Sequence, residues 1–221
     1  MAETWFLFRH FLKADLRESH GVAGLVLFAI ATVYAVYQVV QGRPDPETWN
    51  AMAWVILLFT AFNSVSRPLE EDRPEVLTYL RTTVQPTHYM IARVLHNVLV
   101  LSGLSVLVLL FMGLLIGWGN LSDGRLWGFV AGMVMTAWAL GTTLTLLALI
   151  ASRAGAGFGM TAVLGLPLVL PIVLVSTNLG SDLMRGVLVS DCLQNFAFLG
   201  ALTTGSGVLG VVLFPYLWRA S

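Results

Sequence analysis

The chain has 221 residues, of which 57% are apolar and 11% charged, with a formal net charge of zero and a mean hydropathy of +0.81. Soluble domains carry about 45–50% apolar and about 25% charged residues, so this chain lacks the charge to cover a water-facing surface, and a water-soluble enzyme is excluded. The missing basic excess argues against a nucleic-acid partner, and the single cysteine, Cys192, can form neither an internal disulfide nor a metal site.

In chain order, the first twenty residues are charged and aromatic, and no A-x-A-like cleavage site follows the first apolar run, so that run is expected to persist as a span. Trp5, Phe8, Leu12 and Leu16 recur at helical spacing, flanked by Leu7 and Phe11, while Arg9, Lys13 and Arg17 form a second stripe at i, i+4, i+8. A helix with one aromatic face and one basic face lies in the membrane interface. Residues 1–20 are therefore expected to form an interfacial helix, either an elbow that moves with the first span or a plain anchor.

A bilayer core of roughly 30 Å takes about 20 helical residues to cross. Six runs meet that need without an Asp, Glu, Lys or Arg: Gly21–Gln41, Trp49–Val65, Val94–Trp118, Trp127–Ala151, Phe158–Thr177 and Leu193–Leu217. The second is short and is expected to continue as helix past Val65. Helices are the expected form because lipid cannot satisfy an open backbone, and the alternating segments of a membrane barrel are absent. The fold class is thus all-α, a single transmembrane domain over 1–221. Nine basic residues fall on the side of the N-terminus (Arg9, Lys13, Arg17, Arg67, Arg73, Arg81, Arg93, Arg153 and Arg219) and three on the other (Arg43, Arg125 and Arg185). The positive-inside rule then places both termini in the cytoplasm. GxxxG spacings occur at Gly113/Gly117, Gly128/Gly132 and Gly155/Gly159; with 21 glycines they carry little weight alone.

The longest polar stretch is the cytoplasmic loop 66–93, where Glu70, Glu71, Asp72 and Glu75 crowd together. Asp72 can cap a helix whose first turn holds Pro74 and Glu75. A short helix over about 73–82 would present Val76, Leu77 and Leu80 on one side. Pro86 breaks it, and Thr87 can cap the next helix, which carries His88, Arg93 and His96 into the third span. An amphipathic helix slung under a bundle suits docking into a groove on another protein; the alternative is a solvated connector. In the fifth span, Pro167 and Pro171 each remove a backbone hydrogen bond, so a kink is expected, either as an opening in the bundle or as a static bend. The outer loop 178–192 mixes apolar and polar residues and suggests a short re-entrant or surface-lying helix.

No P-loop, HExxH, GxSxG or CxxCH is present. No carboxylate or base lies at membrane depth, which weakens a proton-coupled carrier, and a membrane-embedded enzyme would need a buried acid, base or nucleophile constellation that the sequence does not show. His10, His20, His88 and His96 all fall on or near the cytoplasmic side, so haem at the outer face would have no histidine ligand from this chain.

The interfacial helix, the six spans, the loop from Phe62-Asn-Ser-Val-Ser-Arg-Pro-Leu-Glu-Glu-Asp-Arg-Pro-Glu-Val-Leu-Thr-Tyr-Leu80 through Gln85-Pro86 and Ile91-Ala92-Arg93, and the segment Leu164-Gly-Leu-Pro-Leu-Val-Leu-Pro-Ile-Val-Leu-Val-Ser-Thr177 together resemble the CcmB family, haem exporter protein B, over essentially the whole chain. The resemblance implies an ABC-2-type exporter permease of c-type cytochrome biogenesis in the bacterial inner membrane. It implies pairing with a second copy, with CcmA-like ATP-binding subunits and with CcmC and CcmD, and acting indirectly on the haem-loaded chaperone CcmE. ATP would be bound by the partner, haem would be a candidate cargo, and this chain would hold no cofactor or metal and perform no catalysis. By the same resemblance the loop helix is the coupling helix, and Glu70, Glu71, Asp72, Glu75, Val76, Leu77, Tyr79, Leu80 and Arg81 are carried over to contact with the ATPase subunit. Relatives often have Gly and a small residue where this chain has Arg73-Pro74. The alternative function is an exporter permease of the same architecture for another cargo, such as a lipid-linked glycan or a drug.

Overall fold

A backbone without water must close its hydrogen bonds within itself, and the described residues do so as helices, with no strand among them. The structure, a computed structural model, describes residues 2–17, 19–40, 42, 44–70, 84–119, 121, 123–153 and 158–219. The helices are α1 (Ala2–Arg17), α2 (Ser19–Val40), α3 (Pro46–Glu70), α4 (Pro86–Leu115), α5 (Asp123–Arg153), α6 (Phe158–Met184) and α7 (Leu193–Arg219). The six from α2 to α7 are long and apolar enough to cross a membrane. The end of the bundle where α1 meets the start of α4 is here termed the N-terminal face; the other is the far face.

Helix starts follow local chemistry. Before α3, Asp45 accepts hydrogen bonds from the Thr48 amide at 2.9 Å and the Thr48 hydroxyl at 2.6 Å. These bonds, the side-chain one foremost, hold the Asp45 carboxyl below its ordinary range. The cap thus stabilises the fold above the unfolded carboxyl value and is lost as pH falls through the lower folded one. As expected, α3 runs on past Val65. At α4 the structure corrects the sequence expectation: Pro86 opens the helix, with extended Gln85 (φ −69°, ψ 136°) at the cap position, and Thr87 lies inside the first turn. Proline suits that place because the amide it lacks would have no partner there.

Helix α6 runs through both Pro167 and Pro171 without a break in assignment and continues to Met184. This corrects the outer loop 178–192: Asn178–Met184 form the last turns of the fifth span. Residues 185–192 make turns closed by Arg185 N–H to Ser181 O (2.9 Å) and Cys192 N–H to Val189 O (3.2 Å), with no separate helix. Hydrophobic Leu183 and Met184 belong to the core rather than to a re-entrant element.

Helix α5 is the hub, packed on α3, α4, α6 and α7. Among its buried residues, small or hydroxylic ones (Ala137, Ala139, Thr142, Thr143, Thr145, Ala148) alternate with large ones such as Phe129, Met133, Leu140 and Leu144, and the small ones let neighbouring helices approach closely. One of the three GxxxG spacings proves to be a packing seam. A Cβ on Gly128 would stand 2.6 Å from Val189 Cγ2, and one on Gly132 2.8 Å from Leu179 Cδ2, so α6 and the turn after it press directly on the α5 backbone. Gly113 faces the Trp118 ring of its own turn, Gly117 has φ +96°, and Gly155 lies outside the described residues.

At the far face, Arg185 pairs with Glu47 at 2.8 Å, which raises the Arg185 pKa, and Asn195 donates to Asp182 at 3.2 Å. Cys192 is buried beside them, and burial first, then Asp182 and Asp191, pushes its thiol above the ordinary range. Thiolate is the reactive form. Maleimide labelling of the folded protein should therefore run at least about tenfold slower than after denaturation, as read by mass; equal rates would place Cys192 outside the core.

Candidate functional site

The polar groups of the N-terminal face converge where α1 lies against the first turns of α4. On α1, Leu7, Phe11 and Asp15 recur at i, i+4, i+8; on α4, Tyr89, Arg93 and Asn97 do the same, with Ala92 and His96 beside them. Side chains four apart share one helix face, so each helix presents a single seam to the other. Leu7, Phe11, Tyr89, Met90, Ala92, Leu146, Leu149 and Phe214 form a hydrophobic cluster of their own, apart from the main core.

Phe11 stands at the middle. Its ring meets Tyr89 edge-on at 5.9 Å and His96 at 6.2 Å, and Tyr89 stacks on Phe214 of α7 at 6.1 Å. The Arg93 guanidinium lies 4.6 Å from the Phe11 centroid and 5.9 Å from that of Tyr89. Arg93 is only 4% exposed. A buried cation is costly unless compensated, and two ring faces supply part of that compensation.

His96, 1% exposed, sets its Nε2 2.9 Å from Asp15 Oδ2 and its Nδ1 3.4 Å from Asn97 Oδ1. Asn97 Nδ2 donates to the Thr145 hydroxyl at 2.8 Å, and that hydroxyl donates to the Gly141 carbonyl at 2.5 Å. Nearer the start of α1, Glu3 pairs with His88 at 2.8 Å. Both acids of α1 therefore lie against histidines of α4, and the chain of contacts reaches α5.

The reach of α4 beyond this cluster follows from helix rise. Twenty residues run from His96 to Leu115, the end of α4, which at about 1.5 Å each cover the roughly 30 Å of a bilayer core. The stretch of α4 beyond the cluster is thus long enough by itself to cover a bilayer core. The structure does bring an acid and a base together in the cluster, a pairing the sequence did not disclose. The Thr145 hydroxyl is buried and gives its proton to a backbone carbonyl, so it is not activated as a nucleophile. Among the described residues no three His, Cys, Asp or Glu gather where they could hold a metal. What the arrangement does is fasten α1 to α4 to α5.

The sequence-predicted residues are distributed as follows. Trp5, Phe8, Arg9, Leu12 and Lys13 lie on α1 as expected, with Trp5 stacked on Phe8 at 5.4 Å and Arg9 and Lys13 exposed. The side chain of Arg17, at the end of α1, and that of Glu70, at the end of α3, lie outside the described residues. So do Glu71, Asp72, Glu75, Val76, Leu77, Tyr79, Leu80 and Arg81. Pro167 and Pro171 are within α6, with Val169 between them buried. The chain matches no protein-family model and no curated protein.

Sequence reasoning does not reach Asp15, Tyr89, Asn97 or Thr145, and takes Leu7 only as a flank of the Trp5–Phe8–Leu12 stripe. The signal for them is present: two stripes at i, i+4, i+8, one on each side of residues 66–85, each with an aromatic residue and a polar end. Read alone, the α1 stripe is hidden by the stronger Trp5–Phe8–Leu12 pattern next to it.

A second concavity lies at the far face, a cavity of about 360 Å³ lined by Pro44, Pro46, Trp49, Ile116, Gly117, Trp118 and Gly119. It contains no charged group, and the Trp49 indole donates to the Gly117 carbonyl at 2.9 Å.

Proposed function

We propose that this chain is the non-catalytic permease subunit of an ATP-driven exporter with ABC-2-type architecture, of the kind the CcmB resemblance implies. In this reading both termini and the segment joining α3 to α4 are cytoplasmic, a separate ATPase subunit docks around Leu77, and its closure moves the spans. A second copy completes the pathway, and export or chaperone release in cytochrome c biogenesis is the output.

The observation that carries this proposal is the clasp of Phe11, Arg93, His96 and Asp15. From its start at Pro86, α4 is fastened within about three turns both to α1 and to the hub helix α5. A displacement applied to the loop therefore enters a rigid three-helix assembly rather than a hinge. The elbow reading of α1 is thereby refined: α1 travels with α4 of the third span as well as with the first. The terminated Asn97–Thr145–Gly141 contacts supply stiffness, and they favour a transmitting role over a membrane-embedded enzyme.

The test is affinity capture of the tagged full chain from native membranes, with mass spectrometry of what accompanies it. An ATP-binding subunit carrying a P-loop is expected in stoichiometric amount. Capture of the intact chain with no ATPase under mild detergent would contradict the proposal. Within the clasp, Asp15→Ala removes the carboxylate that lies 2.9 Å from the buried His96 Nε2 and is expected to loosen α1 from α4. Limited proteolysis should then release the α1 segment much faster than in wild type, while α4 to α7 remain protected.

A further inference from the structure

Helix α1 sorts its charges. Its carboxylates Glu3 and Asp15 are bound to His88 and His96 of α4. Its cations Arg9 and Lys13 are exposed and have no ion-pair partner among the described residues. Arg9 follows Leu7, and Lys13 follows Phe11, by two residues, which is about 200° around an α-helix. The cations thus occupy the side of α1 turned away from the docked seam. Between those sides lies the apolar sector of Trp5, 60% exposed, with Phe8 and Leu12. Phe6, 73% exposed, stands among the cations. A helix that pairs its acids with histidines of a neighbouring helix, keeps Trp5 and Phe6 outward and leaves Arg9 and Lys13 exposed has the charge pattern of a surface complementary to anionic headgroups.

We propose that the Arg9/Lys13 side of α1 is a binding surface for anionic phospholipid headgroups, with the stems of both side chains lying along the apolar layer and their heads at the phosphates. This rests on the six spans and the docking of α1, and not on the exporter reading. Anionic lipid would then hold α1 from outside as the clasp holds it from within, so the lipid composition of the bilayer would set how firmly the α1–α4 assembly is seated.

The test uses the full chain in detergent micelles, titrated with phosphatidylglycerol or phosphatidylcholine and read by native mass spectrometry. A basic residue beside an anionic surface contributes about fivefold in affinity. Wild type should therefore retain phosphatidylglycerol over phosphatidylcholine, and R9Q/K13Q should lose about 25-fold of that selectivity. The charge-preserving swap R9K/K13R should keep it, and raised salt should erode it in wild type. Selectivity unchanged in R9Q/K13Q would overturn the proposal, as would its loss in R9K/K13R. A selectivity for phosphatidylglycerol that rises when Glu70, Glu71, Asp72 and Glu75 are changed to amides, with R9Q/K13Q still indistinguishable from wild type, would assign the cations to the acidic loop instead.

Discussion

Replacing Leu77 and Leu80 together with Asp is expected to abolish capture of the ATPase subunit while the chain still inserts in the membrane at its normal level. The two leucines are three apart, so in the helix expected there they share a face with Val76. Burying a leucine in a partner's groove contributes about 2 kcal/mol, and two such losses lower affinity by about a thousandfold. Carboxylates placed in an apolar groove add a desolvation cost on top. Insertion should be unaffected, because the substitutions lie in a polar loop between spans. Export-linked output, read as assembly of c-type cytochromes if the CcmB resemblance holds, should fall with capture. Undiminished capture and output in L77D/L80D would count against a coupling role for this segment.

The second large effect concerns the far side of the bundle. Gly180 of α6 lies against Asn50 of α3, and a Cβ there would overlap Asn50 Oδ1 and stand 2.9 Å from Trp54 Nε1. Asn50 cannot move aside freely. Its amide donates to Thr177 O at 2.9 Å and to Ser181 Oγ at 3.0 Å, while its carbonyl accepts from Trp54 Nε1 at 2.7 Å. Helix propensity alone would favour Ala over Gly by about 1 kcal/mol. Losing three interhelical or indole hydrogen bonds, each about 0.6–1 kcal/mol, outweighs that gain. Gly180→Ala should therefore destabilise the protein by about 1 kcal/mol or more, whereas Gly205→Ala, which meets no atom of the chain within 4 Å, should be neutral or stabilising. Unfolding in detergent, followed for both variants side by side, checks the opposite signs. A Gly180→Ala protein as stable as the Gly205→Ala one would mean that α3 and α6 do not touch as described.

The spans were legible because their signal is the strongest a sequence carries: six uninterrupted apolar runs each too long for a soluble core. Their ends were less so. Asn178, Ser181 and Asp182 read as loop, yet they close α6, since Ser181 and Asp182 find partners in Asn50 and Asn195. Residues far apart in the chain had to come together before that could be seen. Pro86 reads as a breaker because proline ends the helix before it, while the same ring also starts the helix after it. At the candidate site, the basic stripe of α1 was legible from Arg9 and Lys13, and its interfacial setting from Trp5 and Phe8. The docking seam was not, because periodicity names the faces of a helix without saying which neighbour takes each. Phe11 looked like the flank of a membrane stripe until Arg93 and Tyr89 were found around it. Gly128 and Gly132 likewise could not be told from chance until Leu179 and Val189 stood against them.

Site-specific photocross-linking at position 77 in native membranes tests the transmitting role most directly. A photoreactive side chain there should yield one dominant adduct, with a P-loop ATPase subunit, whose yield changes when nucleotide is trapped on that subunit. Adducts confined to lipid, to this chain or to proteins of the opposite membrane side would contradict the account, because a motor that never touches Leu77 cannot drive α4.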